Sequence, residues 1–271
     1  KINPFDSEAP REPMSEDDIS LTEKRVYGGG AGETVAYVAS ADGLVRVSVS
    51  DDIVGEFTLD RRGEATDVAA AAGRVAVATP EDVLVGTDGG FESTGFGPAT
   101  ALTYHDGLLA SDGDRIARYD AGWETVSTPG GVRAMDGGMA AAESGIYTIE
   151  GTHVGLDDAR DVATAGTPLA ATDDGLYYLA NGWMRALEGA FRGVASDGDC
   201  AHATTGETLY ERTPSGEWVS IDLPTGGPIA AVAYDDGVYA ITEDGVFLAN
   251  AGEGWRHRSI GVTGVAALAL V

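Results

Sequence analysis

An all-β fold, a seven-bladed β-propeller of four-stranded antiparallel blades closed by the C-terminal strand, is predicted by three features of the sequence. First, one apolar strand-like run recurs seven times. Taking Leu44, Val83, Ile116, Ile146, Leu176, Leu209 and Val246 as equivalent, the steps are 39, 33, 30, 30, 33 and 37 residues. A repeat near this period signals a blade or solenoid architecture. Second, Asp-Gly occurs nine times, with Asp at 42, 88, 106, 112, 136, 174, 197, 236 and 244. Asp-Gly between alternating apolar runs is a strong hairpin signal, because a type I′ turn needs positive φ at both central residues. Third, one unpaired strand-like segment, Val262–Val271, follows the last copy.

Each copy reads as a meander. The first run is short and small, as in Asp67-Val-Ala-Ala70, Asp161-Val-Ala163, Gly193-Val-Ala195 and Ile229-Ala-Ala-Val232. These are the expected inner strands, where blades converge and bulky side chains would collide. The second run is rich in Ala and Val: Val35–Ala39, Val75–Thr79, Leu108–Ser111, Met139–Ala142, Leu169–Thr172, Ala201–Thr204 and Val238–Thr242. The third run carries the seven equivalent residues. The fourth follows a Gly-containing turn and in four copies holds a tryptophan, at Trp123, Trp183, Trp218 and Trp255. Large aromatics at this position are expected to pack between neighbouring blades.

No helical period of useful length appears, and the abundance of Gly and β-branched residues argues against one. Residues 1–19 read as an N-terminal extension and residues 20–271 as a single propeller domain. Val262–Val271 is expected to supply the inner strand of the first blade. Lys24-Arg-Val-Tyr27 competes for that place. Six or eight blades are the alternative counts.

The charge excludes several functions. The chain has 44 Asp+Glu against 17 Lys+Arg, a formal net charge of −27, and only Lys1 and Lys24 are lysine. Nucleic acid is not an expected partner, because its binding rests on neutralising phosphates with Lys and Arg. An anionic membrane surface is disfavoured for the same reason. No apolar run of 18 residues exists, so no transmembrane helix is expected. Neither an apolar export segment nor a twin arginine is visible. The expected compartment is the cytoplasm of a salt-loving microbe: at about 1 M salt the Debye length is roughly 3 Å, and surface carboxylates stop repelling over distance. The chain begins with Lys1, and Met14-Ser-Glu-Asp-Asp18 reads as a plausible native start.

The outer half of a copy, for example Gly175-Leu-Tyr-Tyr-Leu-Ala-Asn-Gly-Trp183, resembles the repeats of Asp-box and photosystem-assembly-type propellers. The Ser-x-Asp-x-Gly-x-Thr-Trp pattern is complete in no copy, and Tyr119-Asp-Ala-Gly-Trp123 is the nearest fragment. Over residues 20–271 the chain resembles the small acidic haloarchaeal propeller proteins. That resemblance implies the fold and no particular activity.

Candidate chemistry is sparse. The second-to-third turns carry Asp42, Glu81, Asp82, Asp112, Asp114, Glu143, Asp173, Asp174, Glu243 and Asp244, an expected acidic ring on one face. Arg133, Arg160 and Arg192 stand at or near the start of the expected inner strands of blades four, five and six. Converging there, they would suit a carboxylate or phosphate at the mouth of the central channel. An arginine cluster on a propeller resembles the arrangement by which sialidases hold a substrate carboxylate. No Tyr-Glu nucleophile pair accompanies it. The competing expectation is that each arginine pairs with a local acid, such as Asp136, Asp161 or Asp199.

His105, His153, His202 and His257 fall in different blades, and no metal-ligand spacing links them. Cys200 is expected to be a buried structural thiol. Gly28-Gly-Gly-x-Gly32 lacks the Lys-Ser/Thr of a phosphate loop. No Gly-x-Ser-x-Gly elbow occurs. Asp112-Gly-Asp114 and Asp197-Gly-Asp199 space two carboxylates as cation loops do, but turn chemistry explains them. No cofactor and no metal is expected. The expected role is a non-enzymatic binding or assembly scaffold with a protein partner. The alternative is a receptor or hydrolase/lyase for a small anion at the channel mouth.

Overall fold

The computed structural model describes residues 33–271. Its 28 strands form seven four-stranded antiparallel sheets, and no helix occurs among the described residues. Blade 1 contains β1 (Glu33–Ser40), β2 (Gly43–Ser50) and β3 (Ile53–Arg62). Blade 2 runs through β4 (Asp67–Ala71), β5 (Arg74–Ala78), β6 (Val83–Thr87) and β7 (Gly90–Ser93), and blade 3 through β8 (Ala101–Tyr104), β9 (Leu108–Ser111), β10 (Ile116–Tyr119) and β11 (Trp123–Ser127). Blade 4 comprises β12 (Val132–Asp136), β13 (Met139–Ala142), β14 (Gly145–Thr148) and β15 (His153–Gly155). Blade 5 comprises β16 (Ala159–Ala163), β17 (Leu169–Thr172), β18 (Gly175–Leu179) and β19 (Trp183–Glu188). Blade 6 holds β20 (Gly193–Ser196), β21 (Ala201–Thr204), β22 (Leu209–Arg212) and β23 (Trp218–Ile221), and blade 7 holds β24 (Ile229–Tyr234), β25 (Val238–Thr242), β26 (Val246–Asn250) and β27 (Arg256–Ser259). The last strand, β28 (Val265–Leu270), pairs with β1 and is the inner strand of blade 1. The seven residues taken as equivalent all fall on third strands. The suggested extension 1–19 and the strand candidate Lys24–Tyr27 lie outside the described residues.

A small device recurs where the second strand ends. Ser40, Thr79, Ser111, Thr172, Thr204 and Thr242 are all buried there. Each hydroxyl bonds the backbone of the turn that follows: Ser40 donates to Gly43 O at 2.8 Å, Thr79 to Asp82 O at 2.8 Å and Thr172 to Gly175 O at 2.9 Å. Ser111, Thr204 and Thr242 accept from Gly113, Gly206 and Val246 amides. A side chain that satisfies a turn amide replaces water at a site too enclosed for it. Blade 4 has Ala142 in this place.

The Asp-Gly pairs sit at turns, yet the φ values differ from the type I′ expectation. Of these pairs only Asp106-Gly107 has both residues at positive φ, 51° and 118°. At two others, Asp112-Gly113 and Asp197-Gly198, the carboxylate shapes the turn. Asp112 accepts from the Asp114 and Arg115 amides at 3.1 and 3.0 Å, and Asp197 from those of Asp199 and Cys200 at 2.9 and 2.6 Å. These bonds account for the two closely spaced carboxylate loops as Asx turns.

The core is divided among the seams. Seven apolar clusters of buried side chains each join one neighbouring pair of blades, from Leu44 against Val68 and Val77 in seam 1–2 round to Val47 against Tyr239 and Phe247 in seam 7–1. The four tryptophans cover the seams with the preceding blade: Trp123 in 2–3, Trp183 in 4–5, Trp218 in 5–6 and Trp255 in 6–7. Trp123 packs at 4.6 Å from Phe96 and 5.0 Å from Tyr119, and its Nε1 donates to Thr94 Oγ1 at 3.0 Å. Trp123→Ala is expected to cost about 3 kcal/mol, as large-to-small aromatic changes in a core do. Trp123→Phe, which keeps most of the packing but loses the bond across the seam, is expected to cost about 1 kcal/mol. Urea unfolding of the two variants checks the order.

Candidate functional site

The seven inner strands enclose a central channel with a cavity of about 640 Å³. Its wall is mostly small, with Ala69, Ala134, Ala163, Ala195, Ala231 and Ala267 facing or bordering it. Arg133, Arg160 and Arg192 all line this cavity, at the end where the inner strands begin. Two of them stand at irregularities of the ladder. Val132 pairs with Ala142 and Ala134 with Ala141, which leaves Arg133 as the extra residue of a bulge; Ala159 pairs with Thr172 and Asp161 with Ala171, which does the same for Arg160. A bulge re-aims a side chain, and here it turns two guanidinium groups to the mouth. Arg192 directly precedes β20, and its amide donates to Thr204 O at 2.8 Å.

Each arginine meets rim acids, not the Asp136, Asp161 or Asp199 considered from the sequence. Arg160 grips Asp173 with two bonds, Nε at 2.8 Å and Nη2 at 2.6 Å. That fork holds the Asp173 carboxyl below the usual range. Arg133 lies 3.3 Å from Asp158 and 3.5 Å from Glu143 and donates to Ala159 O at 3.1 Å, tying blade 4 to blade 5. Among the described residues the Arg192 side chain reaches one acid, Glu243, at 4.0 Å, and it is 69% exposed. Three cations therefore share the mouth with four acids, Glu143, Asp158, Asp173 and Glu243, all from the connecting loops and second-to-third turns of that face.

Two titratable groups of the channel wall have an environment the sequence did not indicate, although Asp161 was considered there as an arginine partner. Asp67 opens the inner strand of blade 2, and Asp161 follows Arg160 in that of blade 5. Each carboxylate bonds the next amide of its own strand and one from the following blade: Asp67 takes Val68 N at 2.7 Å and Leu102 N at 2.6 Å, and Asp161 takes Val162 N at 2.9 Å and Val194 N at 2.9 Å. Both residues line the channel cavity. Desolvation pushes both carboxyls up to about 7, against the lowering effect of those amides. The signal was present in the sequence as the repeated Asp-Val-Ala at 67 and 161, a carboxylate directly before the apolar part of an inner strand.

At the opposite end His202 is buried, and its Nδ1 lies 2.8 Å from the Tyr234 hydroxyl, which donates to Ala195 O at 3.2 Å. Desolvation lowers the imidazole to about 4 and raises the phenol. The four histidines sit on blades 3, 4, 6 and 7 and do not converge. Among the described residues no three His, Cys, Asp or Glu side chains group as metal ligands would.

Cys200 corrects an expectation: it is exposed, not buried. It closes the Asx turn headed by Asp197, immediately before β21, so its side chain projects from a turn instead of entering a seam. Partial desolvation, then the Asp197, Glu211 and Asp199 charges, raise its thiol, which leaves it a poor nucleophile at neutral pH.

The fold is shared with proteins of varied function. A putative 6-phosphogluconolactonase from Bacteroides fragilis superposes with a TM-score of 0.59 at 10% identity, covering 90% of this chain and 99% of that one. The Neurospora crassa Pan2 WD40 domain gives a TM-score of 0.58 at 11% identity, covering 84% and 87%. A chain of a nidogen/laminin complex gives a TM-score of 0.58 at 10% identity, covering 88% and 98%. At such identities the likeness is one of fold alone. Comparison with curated proteins gives no match. The family model described as HVO_0234-like beta propeller matches residues 20–271, and with most of its length matched the chain belongs to that family.

Proposed function

We propose that the protein is a non-enzymatic binding scaffold that receives a partner protein on the face where its inner strands begin. The observation that carries this reading is the mouth itself: three arginines on successive blades, two of them turned there by bulges, set among loop acids in a chain of net charge −27. A ring of mixed sign suits a surface of complementary mixed sign, which a protein supplies and a uniform polyanion does not. In concentrated salt, the setting the acid excess fits, such pairing acts only at contact range. The described residues bring no nucleophile and base together at this mouth. The protein neighbours of similar fold include a WD40 domain and a chain from a protein complex, which is consistent with a binding role and does not assign one.

The test is affinity capture at high salt with the wild type and with the triple variant Arg133→Ala/Arg160→Ala/Arg192→Ala. A partner held by the wild type and lost by a triple variant of comparable melting temperature is the expected result. A partner retained by both, or none retained by the wild type, overturns the reading. The second reading, a small anion as ligand, is favoured by one observation, the loose pairing of Arg192. Melting-temperature shifts against carboxylates and phosphates examine it.

A further inference from the structure

We infer that Arg192 is the residue of the mouth that takes up an external oxyanion, a carboxylate or phosphate group, and that Glu243 is the internal competitor this group displaces. The inference rests on the reading above that the mouth is a binding face, and it assigns the roles within the arginine trio.

The three guanidinium groups differ in what they have left to give. An arginine offers five N–H donors in a planar fork. Arg160 spends its fork on Asp173 in a two-bond pair, and Arg133 spends its Nη groups on Asp158 and the Ala159 carbonyl across a seam. Their side chains are correspondingly less open, 40% and 24% exposed. For Arg192, at 69% exposed, no acceptor among the described residues lies within hydrogen-bonding distance, and Glu243 stands off at 4.0 Å. At that separation the attraction is Coulombic without a hydrogen bond, and an exposed pair of this kind is worth little. Its stem passes beside Gly206, where an added Cβ would meet Cδ at 3.4 Å and Nη1 at 3.5 Å, so the glycine leaves room beside the guanidinium. Gly206 has φ +98°, a conformation that glycine accepts. The result is a largely unspent guanidinium bordering the channel cavity, with one acid near enough to hold it back and too far to satisfy it.

A planar carboxylate accepts two parallel N–H bonds from such a fork, and a phosphate accepts the same pair. Either would displace a contact of smaller value. Removing the competing carboxylate therefore strengthens uptake, whereas Arg133 is spent on the blade 4–5 seam and Arg160 on a pair within blade 5.

The experiment follows ¹H–¹⁵N spectra of the full chain during titration with acetate, and separately with inorganic phosphate, at constant ionic strength. The expected perturbations centre on Gly206 and the Arg192 Nε. Arg192→Ala is expected to weaken uptake about tenfold or more, the scale of a lost charge-assisted pair. Glu243→Gln is expected to tighten it several-fold, and Arg185→Ala, on the outer strand of blade 5 and paired with Glu188, to leave it within about twofold. Perturbations that persist in Arg192→Ala, that centre on Arg133 or Arg160, or that are absent for both anions overturn the assignment, as does weakening by Glu243→Gln. The capture experiment keeps the two readings apart. A partner lost by the triple variant but retained by Arg192→Ala, with the acetate and phosphate responses also retained, removes this assignment and leaves the mouth as the binding face. A partner retained by the triple variant removes the binding face itself. Loss of the captured partner in Arg192→Ala identifies the oxyanion as the partner's own group, and an unchanged partner with a lost acetate or phosphate response identifies a free anion.

Discussion

A chain that stops at Gly264 does not fold cooperatively. β28 is the inner strand of blade 1, yet it is separated from β1 by almost the whole sequence, and the two pair from Ala36↔Leu270 to Ser40↔Val265. Its removal takes more than one ladder. Leu268 and Leu270 pack against the 7–1 seam, and Ala267 and Ala269 against the 1–2 seam, so both flanks of blade 1 lose their inner cover at once. Ala36, Val38 and Ala39, fully buried in the intact ring, would line an open edge. Without β28, β1 becomes the inner edge of its sheet, with the N–H and C=O groups that had paired with β28 left open, which favours edge-to-edge association. The net stability of a domain is only about 5–15 kcal/mol, and losing one inner strand with the cover of two seams is expected to exceed it. The truncated chain should show a broad, non-cooperative denaturation curve and should bind a hydrophobic dye. The role is geometric, so connectivity is not required. A permuted chain that carries residues 262–271 directly before Glu33 is expected to recover a sharp transition. A truncated chain that melts sharply near the wild-type temperature would show that closure contributes little.

This strand also marks what was legible in the sequence. The repeat spacing placed all seven third strands, and a strand-like segment after the last copy had one vacant position to fill. Blade count, closure and the inter-blade tryptophans follow from periodicity and size, which are local. The turns were legible in place but not in kind, because Asp can bend the chain either through its own φ or through its carboxylate, and the dipeptide alone does not distinguish them. Cys200 was misjudged for a related reason: average burial of cysteine says nothing about a residue that closes an Asx turn. The arginines were legible as a trio at the channel mouth. Their real partners, Glu143, Asp158, Asp173 and Glu243, were not, since each comes from a loop whose reach depends on a bulge or a turn. The environment of Asp67 and Asp161 was the larger omission. In a chain with 44 acids, two aspartates do not stand out as buried until the ring brings amides of the next blade to meet them.

Those two aspartates make stability fall as pH rises from about 4 to just above 7. Both carboxyls are pushed up to about 7 in the folded chain from an ordinary 3.8. Between those values the folded state holds protons that the unfolded state has released, so the slope of unfolding free energy with pH is negative. The loss begins near the unfolded value and is complete just above the folded one. A shift of this size corresponds to at most roughly 4 kcal/mol per group, at about 1.4 kcal/mol per unit. Asp82, Asp112 and Asp174 act in the opposite sense: hydrogen bonds hold them below the usual range despite some desolvation at Asp82 and Asp112. Their contribution is present above the ordinary carboxylate value and is lost only as pH falls below it, so maximum stability is expected near that value, at about pH 4. The net charge of −27 pulls the same way as Asp67 and Asp161, since protonation relieves self-repulsion. Salt separates the two causes. At about 1 M the Debye length is roughly 3 Å, and repulsion across the surface is screened while desolvation inside the channel is not. Denaturant unfolding at pH 5.5, 7.0 and 8.5 in such salt should still show the decline in the wild type. The double variant Asp67→Asn/Asp161→Asn cannot ionise at these positions and should lose most of that slope, though it gives up one acceptor at each inner-strand amide pair. A wild type whose stability rises with pH over this interval, or a double variant with the full wild-type slope, would place the two carboxylates in water and not in the wall of the channel.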